Sequence, residues 1–149
     1  MLAAPAIVAQ GSLYGGNNDW TNVGPVGGPI PFLVIDPVDP ATFYAGSDVG
    51  VFKSTDSGMS WMNTGMVAVG LVIDPKNSAT LYALAPTDDD LIATRLFKST
   101  DGGATWNEGF WFPPGSSMLT IDPQEGTLYA LAGNPRRALA IMGVPAPAR

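Results

Sequence analysis

Neither cysteine nor histidine occurs anywhere in the 149 residues. That double absence removes the Ser–His–Asp triad, the cysteine nucleophile, the thiolate zinc site and His or Cys haem ligation from what the chain can supply alone, and it forbids disulfides. Any intrinsic catalysis must rest on carboxylates, lysine, tyrosine or a hard cation. Charge is also scarce, at 13% of residues, about half of the ~25% usual in soluble domains. The net charge is −6, and three of the seven basic residues (Arg136, Arg137 and Arg149) fall in the tail, so the body is more acidic than the total. An acidic body without a basic stripe repels phosphate backbones, which argues against nucleic acid as a partner. No apolar run approaches the ~20 residues of a membrane-spanning helix. Long helices are disfavoured by 18 Gly and 14 Pro, which respectively weaken and break them.

What is present is repetition. KSTDSGMSW (Lys53–Trp61) recurs as KSTDGGATW (Lys98–Trp106). Upstream of these, LVIDPVDPATFYAG (Leu33–Gly46) matches LVIDPKNSATLYAL (Leu71–Leu84), and LTIDPQEGTLYAL (Leu119–Leu131) opens a third copy. Trp20, Trp61 and Trp106 are 41 and 45 residues apart, a spacing that fits the four-stranded blades of a β-propeller. Each unit reads as four short strands. Strand A is an apolar run ending at Ile-Asp-Pro (Phe32–Ile35, Val69–Ile73, Met118–Ile121), expected to be buried on both faces. Strand B covers Thr42–Ala45, Thr80–Leu84 and Thr127–Leu131. Strand C covers Val51–Ser54 and Thr94–Ser99, with Ala138–Val144 as its third counterpart. Strand D starts at Trp61 or Trp106 and is expected to end at Gly65 or Gly109. GNNDWTNVG (Gly16–Gly24) reads as a further turn and strand D. The expectation is therefore an all-β fold, a partial β-propeller of about three four-stranded blades. Residues 1–15 are read as a leader or signal-peptide remnant, 16–135 as blades, and 136–149 as an atypical tail or closing strand. Closed propellers use 4–8 blades, so the ring needs self-association or blades from a longer chain.

The motif S-x-D-x-G-x-(T/S)-W has a physical logic. Asp56 and Asp101 are placed to accept backbone N–H groups in a hairpin, with Ser54 and Ser99 adding hydroxyls to the same network. Gly58 and Gly103 provide the positive φ such a turn needs. Trp61 and Trp106 supply large apolar area between blades. The three Ile-Asp-Pro aspartates (Asp36, Asp74 and Asp122) are read as turn-makers.

These residues, with the lead-in Y-A-G…G-V-F-K-S-T-D, resemble the Asp-box, or bacterial neuraminidase, repeat of sialidases, sortilin-type receptors, xyloglucanases and photosystem II assembly factors. The resemblance implies a propeller fold, with the box on the face opposite the ligand site and its residues structural. No residue suggests a sialidase, since no family motif surrounds the arginines. A narrower likeness joins WTNVGPVGGPIPFLVIDP and FYAGSDVG to the xyloglucanases, which implies a catalytic carboxylate at Asp48 and a second carboxylate from elsewhere, since glycoside hydrolysis uses two.

Functional residues are sought where the repeats differ. B–C and D–A loops share one face of a propeller. The second B–C loop is seven residues longer than the first and holds Asp88, Asp89 and Asp90. The following D–A loop is read as Phe110-Trp111-Phe112-Pro113-Pro114. Carboxylates beside flat rings suit sugar hydroxyls and pyranose faces, or a hydrated cation; the plainer alternative is a solvated acidic loop beside a hydrophobic plug. The reading favoured is a non-catalytic binding or scaffold module, exported to a secreted or periplasmic location. Its partner would be a polysaccharide or protein, with no cofactor, metal, nucleic acid or membrane span. The alternative is a fragment of a xyloglucanase-like glycoside hydrolase using Asp48, and a third reading is an assembly factor.

Overall fold

The computed structural model describes residues 23–87, 90–112, 116–134 and 137–144. The elements are all strands: β1 (Phe32–Ile35), β2 (Phe43–Ser47), β3 (Gly50–Ser54), β4 (Met62–Asn63), β5 (Gly70–Ile73), β6 (Leu81–Thr87), β7 (Asp90–Ser99), β8 (Asn107–Phe112), β9 (Ser116–Ile121), β10 (Leu128–Asn134) and β11 (Arg137–Val144). Among the described residues no helix is long and apolar enough to cross a membrane. The strands form three antiparallel meanders, β1-β2-β3-β4, β5-β6-β7-β8 and β9-β10-β11. The fold is all-β, a partial propeller of three blades. Each meander is closed by short turns because the sequence supplies turn chemistry between its apolar runs. Asp36 Oδ1 accepts N–H bonds from Val38 and Asp39 at 2.8 and 3.1 Å, and Asp122 Oδ1 accepts from Gln124 and Glu125 at 2.7 and 2.9 Å.

The blades pack face to face, and two clusters form the seams. Between blades 1 and 2, Tyr44 and Val51 meet Leu71, Ile73, Leu81, Ala83 and Ala85, with Met66 and Ala68 from the connecting segment. Between blades 2 and 3, Tyr82, Leu84, Leu96 and Phe112 meet Leu128 and Ala130. Strand β6 therefore serves both seams by alternation: odd positions face blade 1 and Tyr82 and Leu84 face blade 3, so the strand is buried on both sides. Leu81 and Leu84 are fully buried, each contributing about 1.5–3 kcal/mol of apolar transfer.

Two expectations are corrected here. Strand β1 is not buried on both faces, since Leu33 and Ile35 are 58% and 53% exposed while Phe32 and Val34 pack on the blade 1–2 cluster. No blade covers its other side among the described residues. The second D strand also passes Gly109 and continues to Phe112, so Phe110, Trp111 and Phe112 lie in a strand and not in a D–A loop. The cause is the B–C insertion, which lengthens β6 and β7 instead of forming a free loop. Strand β7 thereby gains the partners that hold β8, pairing Arg95 with Trp111 and Thr94 with Phe112. Blade 1 lacks the insertion, and its D strand is only two residues long.

Candidate functional site

The two Ser-Asp-Gly-Trp turns are built alike. Ser54 Oγ donates to Asp56 Oδ1 at 2.8 Å and accepts the Gly58 N–H at 2.8 Å, while Asp56 accepts the Ser60 N–H and hydroxyl at 2.8 and 2.6 Å. In blade 2, Ser99 and Asp101 repeat the pattern, with Gly103 N–H at 2.9 Å and the Thr105 N–H and hydroxyl at 2.9 and 2.6 Å. Gly58 and Gly103 have φ of 87° and 88°, a region closed to most side chains. Hydrogen bonds from Ser60, then from Ser54, hold the Asp56 carboxyl below its ordinary range. The equivalent bonds from Thr105 and Ser99 bring Asp101 down to about 2. Carboxylates this fully engaged by their own turn have few lone pairs left for chemistry. The Trp61 indole N–H donates to the Val23 carbonyl at 2.6 Å. Trp106 packs on the blade 1–2 cluster with its Nε1 buried and unpartnered.

The opposite rim carries the side chains open to a ligand. Asp48 occupies the two-residue turn between β2 and β3, whose ends pair as Ser47↔Gly50. It is exposed. A Cβ added at Gly28 would stand 2.9 Å from its Oδ2, so the carboxylate rests against the Gly24–Pro31 segment. Among the described residues no group of three or more Asp and Glu side chains is gathered for a metal ion. Asp88 and Asp89 lie outside the described residues, and Asp90 opens β7.

The most organised group on this rim is in blade 2, and sequence reading identified only half of it. The β7–β8 ladder pairs Phe97 with Glu108 but Arg95 with Trp111, so Gly109 and Phe110 together oppose the single residue Leu96. This is a β-bulge, a device that re-aims side chains. A Cβ added at Gly109 would stand 3.1 Å from the Leu96 carbonyl oxygen, so glycine permits the close approach. The one-residue shift turns Phe112 into the blade 2–3 seam, where it is 4% exposed; the expectation that Phe112 joins an exposed aromatic group is thereby corrected. The same shift places Trp111 beside Arg95, whose guanidinium carbon lies 3.7 Å from the ring centroid. Arg95 also pairs with Glu108, while its Nε is buried without a partner. Trp111 remains 58% exposed and Phe110 is exposed beside it. A guanidinium that is both ion-paired and set over the indole backs one side of the Trp111 ring and restricts its motion, while more than half of the residue stays open to solvent. Arg95 and Glu108 carried no motif; the glycine within an aromatic-rich strand was the only sequence signal of the bulge.

No family model matches the sequence. A xyloglucanase of Hypocrea jecorina is 32% identical over 88 residues, covering 54% of this chain and 10% of that protein. The chain thus spans about a tenth of the length of this curated relative. Among solved structures, an ancestral GH74 enzyme superposes with a TM-score of 0.55 at 18% identity, over 72% of this chain and 17% of its own. At that identity the likeness concerns the fold. The chain is therefore similar over part of its length to a xyloglucanase, and in blade architecture to a GH74 enzyme.

Proposed function

We propose that this chain is a carbohydrate-binding propeller segment, related to xyloglucanases, that holds a β-glucan chain on the B–C/D–A rim without cleaving it. The observation that carries the reading is the Arg95-backed Trp111 platform, exposed beside Phe110 at the rim. A flat, rigid, partly apolar ring loses little conformational freedom when a pyranose ring stacks on it, and polar neighbours at its border accept the sugar hydroxyls. Asp88, Asp89 and Asp90, carried by the insertion between Tyr82 and Lys98, are the acceptors this reading assigns to those hydroxyls. Similarity to a xyloglucanase supports the substrate class. Action on such a polymer implies export. Calorimetry with xyloglucan oligosaccharides tests the proposal: binding is expected for the unaltered chain, and Trp111→Ala should weaken it about tenfold or more, equivalent to about 1.4 kcal/mol. Unchanged binding in Trp111→Ala would remove the platform from the reading.

A second reading has its own observation, the exposed Asp48 carboxylate on the same rim. As one of two carboxylates it would make the segment part of a glycoside hydrolase. Release of reducing ends from xyloglucan that vanishes in Asp48→Asn would favour this reading over binding alone.

A further inference from the structure

In an uninterrupted strand Glu108 and Trp111, three residues apart, would point to opposite faces of blade 2. The bulge at Gly109 and Phe110 cancels that alternation. Glu108 pairs across the ladder with Phe97, and Trp111 with Arg95. Phe97 and Arg95 are two residues apart and share a face, the one on which Phe97 packs against the blade 1–2 cluster. Glu108, Arg95 and Trp111 therefore stand together, while Leu96 and Phe112 go to the other seam. The extra residue thus sets a carboxylate beside the exposed ring. Blade 1 leaves this corner open, because its D strand ends at Asn63. Asn63 pairs with Phe52 as Glu108 pairs with Phe97, so Trp111 lies beyond the last D-strand residue of blade 1.

The ion pair on this face has a covered end and an open end. Arg95 Nη1 meets Glu108 Oε1, and the Arg95 side chain is 23% exposed against 51% for Glu108. The guanidinium lies over the indole and its Nε is buried. Glu108 Oε2 accepts no hydrogen bond among the described residues, so its lone pairs are available. A ring stacked on Trp111 therefore meets the carboxylate at its border more readily than the guanidinium.

We infer that Glu108 is a ligand-contacting residue that sets specificity at the platform: Oε2 accepts a hydroxyl of the sugar stacked on Trp111, and its charge rejects a sugar that carries a carboxylate there. The inference rests on the glucan-binding reading and narrows the ligand class to neutral saccharides over uronates. A hydroxyl donates a charge-assisted hydrogen bond to the carboxylate. A uronate carboxylate has no proton to donate and places two like charges side by side, a repulsive element that discriminates between otherwise similar rings. Arg95 does not offset this, since it is already paired to Oε1 and is less exposed than the group it would have to mask. Glu108 thereby has two tasks, one oxygen holding Arg95 against the ring and the other reading the ligand.

Calorimetry on the full chain with two probes tests the inference: cellohexaose, and the same oligosaccharide with its C6 hydroxyls oxidised to carboxylates. The unaltered chain should bind the oxidised probe about tenfold or more weakly than the neutral one. Glu108→Gln keeps an oxygen for Arg95 and removes the charge. It should weaken cellohexaose about fivefold while strengthening the oxidised probe, so the two affinities move in opposite directions. A purely structural role, acting through Arg95, would lower both together, and that result overturns the inference. Equal binding of the two probes by the unaltered chain also overturns it, and this comparison holds even if the variant fails to fold. Cellohexaose binding that is lost in Trp111→Ala but unchanged in Glu108→Gln overturns the inference and leaves the glucan reading standing. No binding of either probe by the unaltered chain removes both.

Discussion

At the scale of single residues, the Ser-Asp pair of each turn decides how firmly the C–D hairpin is held. Ser99 is completely buried and accepts N–H bonds from Asp101 and Gly103. Ser99→Ala strands the buried Gly103 N–H and should cost about 1–3 kcal/mol, seen as a loss of several degrees in Tm. Asp101 titrates at about 2 in the folded chain, and Asp56 is also lowered. A depressed folded pKa stabilises the fold above the unfolded carboxylate value of about 4, and that stabilisation is lost as pH falls through the folded value. Thermal melts should therefore show a fall in Tm between about pH 4 and pH 2 that is smaller in Asp101→Asn. An unchanged acid limb in that variant would refute the assignment. These turn roles were legible in the sequence, because short polar side chains at fixed offsets act on backbone only a few residues away.

At the scale of elements, the strands were legible in type and order, and their ends were not. The Ile-Asp-Pro and Tyr-Ala segments announced strands A and B because apolar runs and turn residues are local signals. The length of β8 depends on a partner, since it extends only as far as the lengthened β7 offers backbone to pair with. The aromatic run thus reads as a loop in one dimension and becomes strand in three. The bulge at Gly109 decides which aromatic points to solvent, because a one-residue slip exchanges the faces of every side chain beyond it. Gly109→Val brings side-chain carbons against the Leu96 carbonyl and should disturb the bulge and with it the Arg95–Trp111 stack. Glucan binding is expected to drop toward the level of Trp111→Ala while the far-ultraviolet β signal persists. Full binding in the valine variant would detach the bulge from the site.

At the scale of the whole molecule, stability lies in the seams between blades. Tyr44 and Lys53 reach from blade 1 to the Gly102 carbonyl of blade 2, linking residues 58 and 49 positions apart. Burial, then the nearby Asp36 charge, pushes the Tyr44 phenol up to about 12. A raised folded pKa stabilises the fold below the unfolded value of about 10, and that contribution disappears as pH rises through the folded value. Tyr44→Phe should cost about 0.5–1.5 kcal/mol near neutral pH and should flatten the loss of stability between about pH 10 and 12, both measurable by urea titration. The exposed Leu33 and Ile35 belong to this scale too: no blade covers them among the described residues, and a strand keeps its apolar pattern whether or not a neighbour is present.

The sequence alone determined the repeat, the all-β class, the four-strand unit and the turn chemistry of Ser54, Asp56, Ser99 and Asp101, all of which act between residues close in the chain. Tertiary structure decided the rest. It buried Phe112 and left Trp111 open, brought Arg95 and Glu108 to that ring, joined Tyr44 and Lys53 to Gly102, and, among the described residues, left one face of β1 uncovered. Each of those outcomes depends on which strand lies beside which and in what register, and pairing between distant segments leaves no mark in the local pattern of either one.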